Sequence, residues 1–307
     1  VCAQFDAPRF DNSAMDGYAV CGLQQQNWLL TDSIAAGDAT HGLQLQTGQA
    51  MRILTGAAIP AGTEAVIAQE DVNVLDGLLV CDRPLKSGQH IRRLAEEYAA
   101  GEVLLPAQMR LNAAAVGVIA SQGLQHVACF RRIRITVLSS GNELQVPGCE
   151  LKENQIYDSN RAMLLAALSD ACFEVSDGGL LADDLPSSTD SLQAAARHND
   201  VVLVSGGASV GDKDHTKEAL AALGEIQHWK LAIKPGKPFG WGKIGDTQVF
   251  LLPGNPVASW VTFLALVQPA VRLMAGWTKQ QAEPKTVSSV AEFDLPKPQN
   301  RQQFLRG

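Results

Sequence analysis

Four short loops hold most of the residues in this chain whose types could do chemistry. SSGNEL (residues 139–144) carries Glu143, and ADDL (182–185) carries Asp183 and Asp184. SGGASVGDKDHT (205–216) offers Ser205, Gly206, Gly207, Ser209, Gly211, Asp212 and Asp214, and PGNP (253–256) is Pro253, Gly254, Asn255 and Pro256. Three of the loops pair glycine with small polar residues, so backbone N–H groups can approach an anion at a helix start. Three carry acids, and hard oxygen donors beside phosphate suit a divalent ion. Taken singly each is a weak signal, because a glycine-rich turn after a strand is more often only a turn. SGGASVG has neither the GK[ST] ending of a P-loop nor the G-x-G-x-x-G of a dinucleotide fold.

Positive charge comes from KLAIKPGKPFGWGK, where Lys230, Lys234, Lys237 and Lys243 fall close together in an otherwise acidic chain. Strand alternation places Lys230 and Lys234 on one face, and the prolines and glycine hold Lys237 on a stiff loop. The functional reading is an anion pocket built from point charges. The plain alternative is a solvated lysine edge that blocks strand aggregation. In the N-terminal region, DNSAMDGYAV (11–20) and MRILTGAAIPAGTEAVIAQED (51–71) read as loops by local chemistry, with Thr55 and Gly56 in a turn.

The elements that must carry these loops follow from periodicity. Residues 1–94 alternate short apolar runs with glycine and proline, the mark of a small β domain. Residues 95–130 turn alanine-rich, with a helix expected over 111–121. From Arg131 the pattern is βα: strands at RIRITVLS, CFEVSDGGLL, DVVLVS, WKLAI and QVFLLP, helices at SNRAMLLAALSDA, TDSLQAAARH and HTKEALAAL, and a last helix opened by Asn255-Pro256. Such alternation through about residue 280 implies a parallel sheet with helices on both faces, whose ligands bind beyond the carboxyl ends of the strands.

Composition narrows the classes. With 307 residues, the prior is about two domains. Lys plus Arg is 25 and Asp plus Glu is 32, so the net charge is 25 − 32 = −7, which disfavours a general nucleic-acid binder. Six cysteines without a CxxC pair and six histidines without HExxH argue against a structural zinc or a disulfide framework, and for reduced thiols in the cytoplasm. Residues 249–271 carry no charge, but the prolines among them speak against a membrane span. No signal peptide is visible. The chain opens on Val1 in mid-pattern and is expected to be a fragment.

In order, DNSAMDGYAV, MRILTGAAIPAGTEAV, SGQHIRR, IYDSN, VVLVSGGASVGDKDHT, KLAIKPGKPFGWGK and LPGNPVASWVTF resemble the molybdopterin molybdenumtransferases, the bacterial MoeA proteins and the E domains of gephyrin-type proteins. The resemblance covers essentially the whole chain. It implies insertion of molybdate into adenylylated molybdopterin with release of AMP, assisted by magnesium. It also implies a β domain (1–94), part of an elongated helical domain (95–130), a molybdopterin-binding-type α/β domain with a parallel-rich sheet (131–280), and the start of a C-terminal β-barrel (281–307). The family is dimeric, with a cleft shared between the α/β domain of one subunit and the β domain of the other.

By motif, the catalytic positions are Asp16, Thr55, Glu143, Asp183 and Asp214, with Glu143, Asp183 and Asp214 on the metal. Substrate contacts fall to Ser205, Gly206, Gly207, Ser209, Gly211, Lys230, Lys234, Lys237, Pro253, Gly254, Asn255 and Pro256. Two positions depart from the family pattern and bear on metal geometry. Asn142 stands in SGNEL where TGDEL is usual, and Glu97 in LAEE where RGED is usual. Two other readings compete: a molybdopterin adenylyltransferase, whose similar α/β domain stands alone and which is also a candidate partner, and a non-catalytic peptide-binding scaffold.

Overall fold

Short apolar runs broken by glycine turns favour a small sheet of mostly antiparallel strands. The structure, a computed structural model, describes residues 1–40, 42–182, 184–208, 215–290, 292 and 300–305. The chain forms two units, Val1–Val127 and Ala128–Gly307.

In the first unit, β1 (Gly17–Val20), β2 (Asn27–Ile34), β3 (Gln49–Ile53), β4 (Ala65–Ala68), β5 (Asn73–Leu75) and β6 (Leu78–Val80) make a sheet of order β4-β1-β3-β2-β6-β5. Only β2 and β3 run parallel. The reading of residues 11–20 and 51–71 as loops is corrected here, because GYAV is strand β1, MRI ends β3 and AVIA is β4. Burial decides this. Ala19, Met51, Ile53 and Val66 pack on one face of the sheet, and Val20, Ala50 and Ile67 on the other. Gly17 has a steric reason to be glycine, since a Cβ would stand 1.9 Å from the Ile67 carbonyl oxygen. Helix α1 (Ala113–Ser121) opens behind Asn112, whose Oδ1 accepts from the Ala115 N–H at 2.9 Å.

In the second unit the βα pattern is realised. β7 (Ile133–Ser140), α2 (Ser159–Ala167), β8 (Phe173–Leu181), α3 (Leu185–His198), β9 (Val201–Ser205), α4 (His215–Leu223), β10 (Glu225–Trp229), β11 (Gly240–Ile244) and β12 (Thr247–Leu252) follow in turn. Their sheet has order β8-β7-β9-β12-β11-β10. The four strands from β8 to β12 are parallel. Alternate residues face opposite cores: Val201, Leu203 and Phe250 meet Leu164 of α2, while Val202, Val204 and Leu251 meet Leu192 of α3 and Leu220 of α4. Side chains on both faces explain why these strands read as unbroken apolar runs.

Two expectations change at the far edge. WKLAI is not one strand: β10 ends at Trp229, and the chain returns as β11, antiparallel to both neighbours. Lys230 sits at φ +75° and Lys234 in a two-residue strand, Ile233–Lys234, paired with Gln302–Gln303, so the two lysines do not share a strand face. The uncharged stretch is broken at Pro253–Asn255, between the end of β12 and the helix that starts at Pro256, but not at Pro269. Helix runs from α5 (Pro256–Thr262) through a π-helical turn, Phe263–Val267, into α6 (Gln268–Met274). In that turn the Gln268 N–H reaches back to the Phe263 carbonyl. A widened turn is one means by which a helix passes a residue such as Pro269 that lacks an N–H. Pro256–Met274 is long and apolar enough to cross a membrane by composition, yet Phe263, Val267 and Val271 are fully buried in the core of this unit.

Candidate functional site

Parallel pairing aligns the carboxyl ends of β7, β9 and β12, with Ser205 opposite both Ser139 and Leu252. The turns that follow those strands line a cleft of about 570 Å³. Ser140, Gly141 and Glu143 come from the loop after β7, residues 206–208 from the loop after β9, and Pro253, Gly254 and Asn255 from the turn after β12. Ser140, Glu143, Gly206 and Gly254 also line a smaller adjoining recess of about 90 Å³, where Tyr157, Asp158 and Asn160 join them. Three of the four loops singled out in the sequence, SSGNEL, the described ends of 205–216 and PGNP, therefore meet in one place, while no described residue of ADDL lines it.

Close backbone approach shapes the floor. Gly206 has φ +99°, and a Cβ on it would lie 2.1 Å from the Ser140 carbonyl oxygen. Its N–H donates to the Leu252 carbonyl at 3.0 Å, tying the β9 turn to β12. Thr216 Oγ1 donates to Ser140 Oγ at 3.4 Å. After the PGNP turn, the first amides of the helix are already taken. Asn255 is the N-cap of α5, and its Oδ1 accepts from Val257 and Ala258 N–H at 3.1 and 3.2 Å. Those two amides of the first helical turn serve the cap.

The lysine segment borders the cleft through its prolines. Pro235 and Pro238 are lining residues, while Lys230, Lys234 and Lys237 are exposed beside them. Backbone bonds fold the segment on itself: Lys230 N–H donates to the Phe239 carbonyl and Leu231 N–H to that of Lys237, both at 2.9 Å. Among the described residues, neither Lys234 nor Lys237 takes part in an ion pair. Their charge is available to a ligand.

Oxygen dominates the donors at the cleft: the Glu143 carboxylate, the hydroxyls of Ser140 and Thr216, and backbone carbonyls, with no thiol among the lining residues. That chemistry fits a hard cation such as magnesium. Asp183 and Asp214, the other expected metal acids, lie outside the described residues, as do Ser209 and Gly211. No group of three or more metal-ligating side chains occurs among the described residues. Asn142 has an exposed place next to Glu143, and Glu97 is exposed in the first unit.

Asp16 and Thr55 form a polar pair in the first unit. Asp16 Oδ1 accepts from the Thr55 hydroxyl at 2.6 Å and from its backbone N–H at 2.7 Å. These bonds, with a weaker pull from Arg52, hold the exposed carboxyl below its usual range and keep it anionic. Arg52 lies 5.0 Å above the Tyr18 ring and donates to Gln69 Oε1. Sequence reasoning overlooked two residues in the second unit. These are Asp158 and Asn160, both inside the IYDSN motif. Their signal was a polar D-S-N run opening an apolar helix, which is also what an ordinary N-cap looks like.

An α/β domain with its cleft at the strand ends thus follows, along the chain, a β unit with its own polar pair. Residues 1–123 match the family described as "MoeA N-terminal region (domain I and II)", and residues 136–273 match "Probable molybdopterin binding domain". The molybdopterin molybdenumtransferase of Haemophilus influenzae is 41% identical over 319 residues, covering 100% of this chain and 78% of its own. Molybdopterin molybdenumtransferase 2 of Mycobacterium tuberculosis is 34% identical with the same coverage. A crystal structure of the MoeA protein from Pyrococcus horikoshii superposes with a TM-score of 0.82 at 28% identity, over 99% of this chain and 76% of that one. The chain belongs to the molybdopterin molybdenumtransferase (MoeA) family. The match over residues 1–123 sets aside the stand-alone adenylyltransferase reading, and the relatives are named as transferases.

Proposed function

We propose that this protein is a transferase of molybdenum cofactor biosynthesis that inserts molybdenum from molybdate into adenylylated molybdopterin, releasing AMP. The observation that carries this reading is full-length kinship with molybdenumtransferases together with a cleft built from the strand-end loops. Within the cleft, the glycine turn at 205–207 brings backbone close to the substrate's phosphates, and Lys234 and Lys237 attract the compact molybdate dianion. Lys230 belongs to the same segment and adds to its positive field.

Glu143, with Asp183 and Asp214, would hold magnesium. When bound, the ion would neutralise charge on the phosphate oxygens that link AMP to molybdopterin. Pro253 and Pro256 give the neighbouring turn a fixed shape. Asn142, where the family usually carries a carboxylate, reduces negative charge beside the molybdate approach. Glu97 retains charge on a longer arm.

Asp16 and Thr55 serve catalysis from the β unit, and the working form is a homodimer whose cleft takes these residues from the opposite subunit. The partner supplying adenylylated molybdopterin is a molybdopterin adenylyltransferase, and the protein acts in the cytoplasm. The experiment is to incubate the protein with adenylylated molybdopterin and quantify AMP with and without molybdate. Molybdate-dependent AMP release is expected; release indifferent to molybdate would overturn the assignment.

A further inference from the structure

Asn160 lies in the first turn of α2 and is 7% exposed. Its Nδ2 donates to Ser205 Oγ at 2.9 Å and to the Gly254 carbonyl at 2.8 Å, so both amide hydrogens are used. The Gly254 contact fixes the amide's orientation, since reversing it would set oxygen against oxygen. Among the described residues, Oδ1 is buried without a partner. Leaving an acceptor unpaired in the interior is unfavourable, so the N–H pair is the useful end of this side chain.

The two groups that Asn160 joins, Ser205 and Gly254, both line the smaller recess that adjoins the cleft. Ser205 ends β9, and Gly254 sits in the turn after β12. Strand pairing between them stops at Ser205 and Leu252. Beyond that point the turns approach closely, with the Cβ position of Gly254 3.7 Å from Gly206 Cα. Asn160 spans them there. Its bond also occupies a lone pair of the Ser205 oxygen. A hydroxyl that accepts in this way keeps its own hydrogen for another partner and becomes a stronger donor. Anions offer only acceptors.

We propose that Asn160 is a positioning residue: it locks the 205–207 turn to the 253–256 turn and commits the Ser205 hydroxyl to donating toward an anion held in the recess that adjoins the cleft. The inference rests on the reading of that cleft as the site of molybdate and phosphate.

The test uses the full chain in four forms: wild type, Asn160→Leu, Ser205→Ala and the double variant. Leucine keeps the volume while removing the amide and adds no charge. Molybdate is the probe, measured by equilibrium dialysis and by the molybdate KM for AMP release. Each single variant should weaken molybdate binding roughly tenfold, and the double variant should lose no more than the weaker single, because both changes remove one donor. Losses that multiply, or wild-type affinity in Ser205→Ala, overturn the proposal. Ser205→Ala keeps it falsifiable should Asn160→Leu fail to fold.

A second readout is independent of chemistry. Hydrogen exchange of peptides spanning 203–208 and 251–257 should accelerate in Asn160→Leu, and unchanged exchange overturns the lock. If wild type takes up no molybdate, the proposed function fails, while exchange still decides whether Asn160 fastens the turns.

Discussion

Lys237 stands in the exposed part of a folded-back segment whose prolines wall the cleft. Its charge has no ion-pair partner among the described residues, so its field is free to act on an incoming dianion. We expect Lys237→Ala to raise the molybdate needed for half-maximal AMP release roughly tenfold at low ionic strength, with the difference shrinking as salt is added. The shrinkage separates a screened point charge from a shape change, which salt would leave alone. Equal molybdate requirements in variant and wild type would reduce the segment to a solvated edge.

At the scale of elements, helix α5 is placed by its cap. Asn255 Oδ1 takes two amide hydrogens of the first turn, and Pro256 needs none. Asn255→Ala should lower stability by about 1 kcal/mol, read as a shifted urea midpoint with unchanged slope. Because Gly254 precedes the cap and touches the Asn160 amide, molybdate-dependent turnover should fall further than stability does. A variant that loses stability but keeps full turnover would separate the cap from the site.

The second unit carries an acid-sensitive fastening at the amino end of its sheet. Asp200 accepts from Arg131 at 2.6 and 2.9 Å and from Arg134 at 3.1 Å and at its backbone N–H. The Arg131 contact above all, then Arg134, holds the carboxyl far below the ordinary 3.8, against the opposing effect of burial. A depressed carboxylate stabilises the fold above its unfolded value and loses that contribution as pH falls toward the folded value. Asp200→Asn should therefore cost about 1–2 kcal/mol near neutrality, discounted for the exposure of both arginines. Its difference from wild type should narrow once pH drops below about 4, as thermal unfolding across pH would record.

Assembly provides the other prediction for the whole molecule. Asp16→Ala and Asp214→Ala should each inactivate the full-length protein, and hybrid dimers of the two should regain part of the activity. Recovery is expected because one cleft per hybrid would hold wild-type residues from both chains. Proven subunit exchange without recovery would place Asp16 and Asp214 in a cleft within one chain.

Sequence by itself determined the parts whose cause is local. The apolar runs of β7, β9 and β12, the Asn-Pro start of α5 and the glycine turns were legible because pattern, cap chemistry and φ freedom are encoded within a few residues. With the strand-end rule they pointed to the end of the sheet where the cleft lies. Tertiary structure alone decided what depends on distant neighbours. The GYAV strand was hidden by the polar DNSAMD before it, and its burial depends on strands far along the chain. The lysine segment looked like a strand by alternation, yet Lys230 and Gly236, both at positive φ, and the antiparallel return of β11 bend it into a hairpin. Pro269 signalled a break, but a π-helical turn and the buried Phe263–Val267–Val271 face let the helix continue. Asn160 read as one polar residue in a helix start. Its role arises from the meeting of Ser205 and Gly254, which lie 45 and 94 residues away in the chain and are brought together only by sheet pairing.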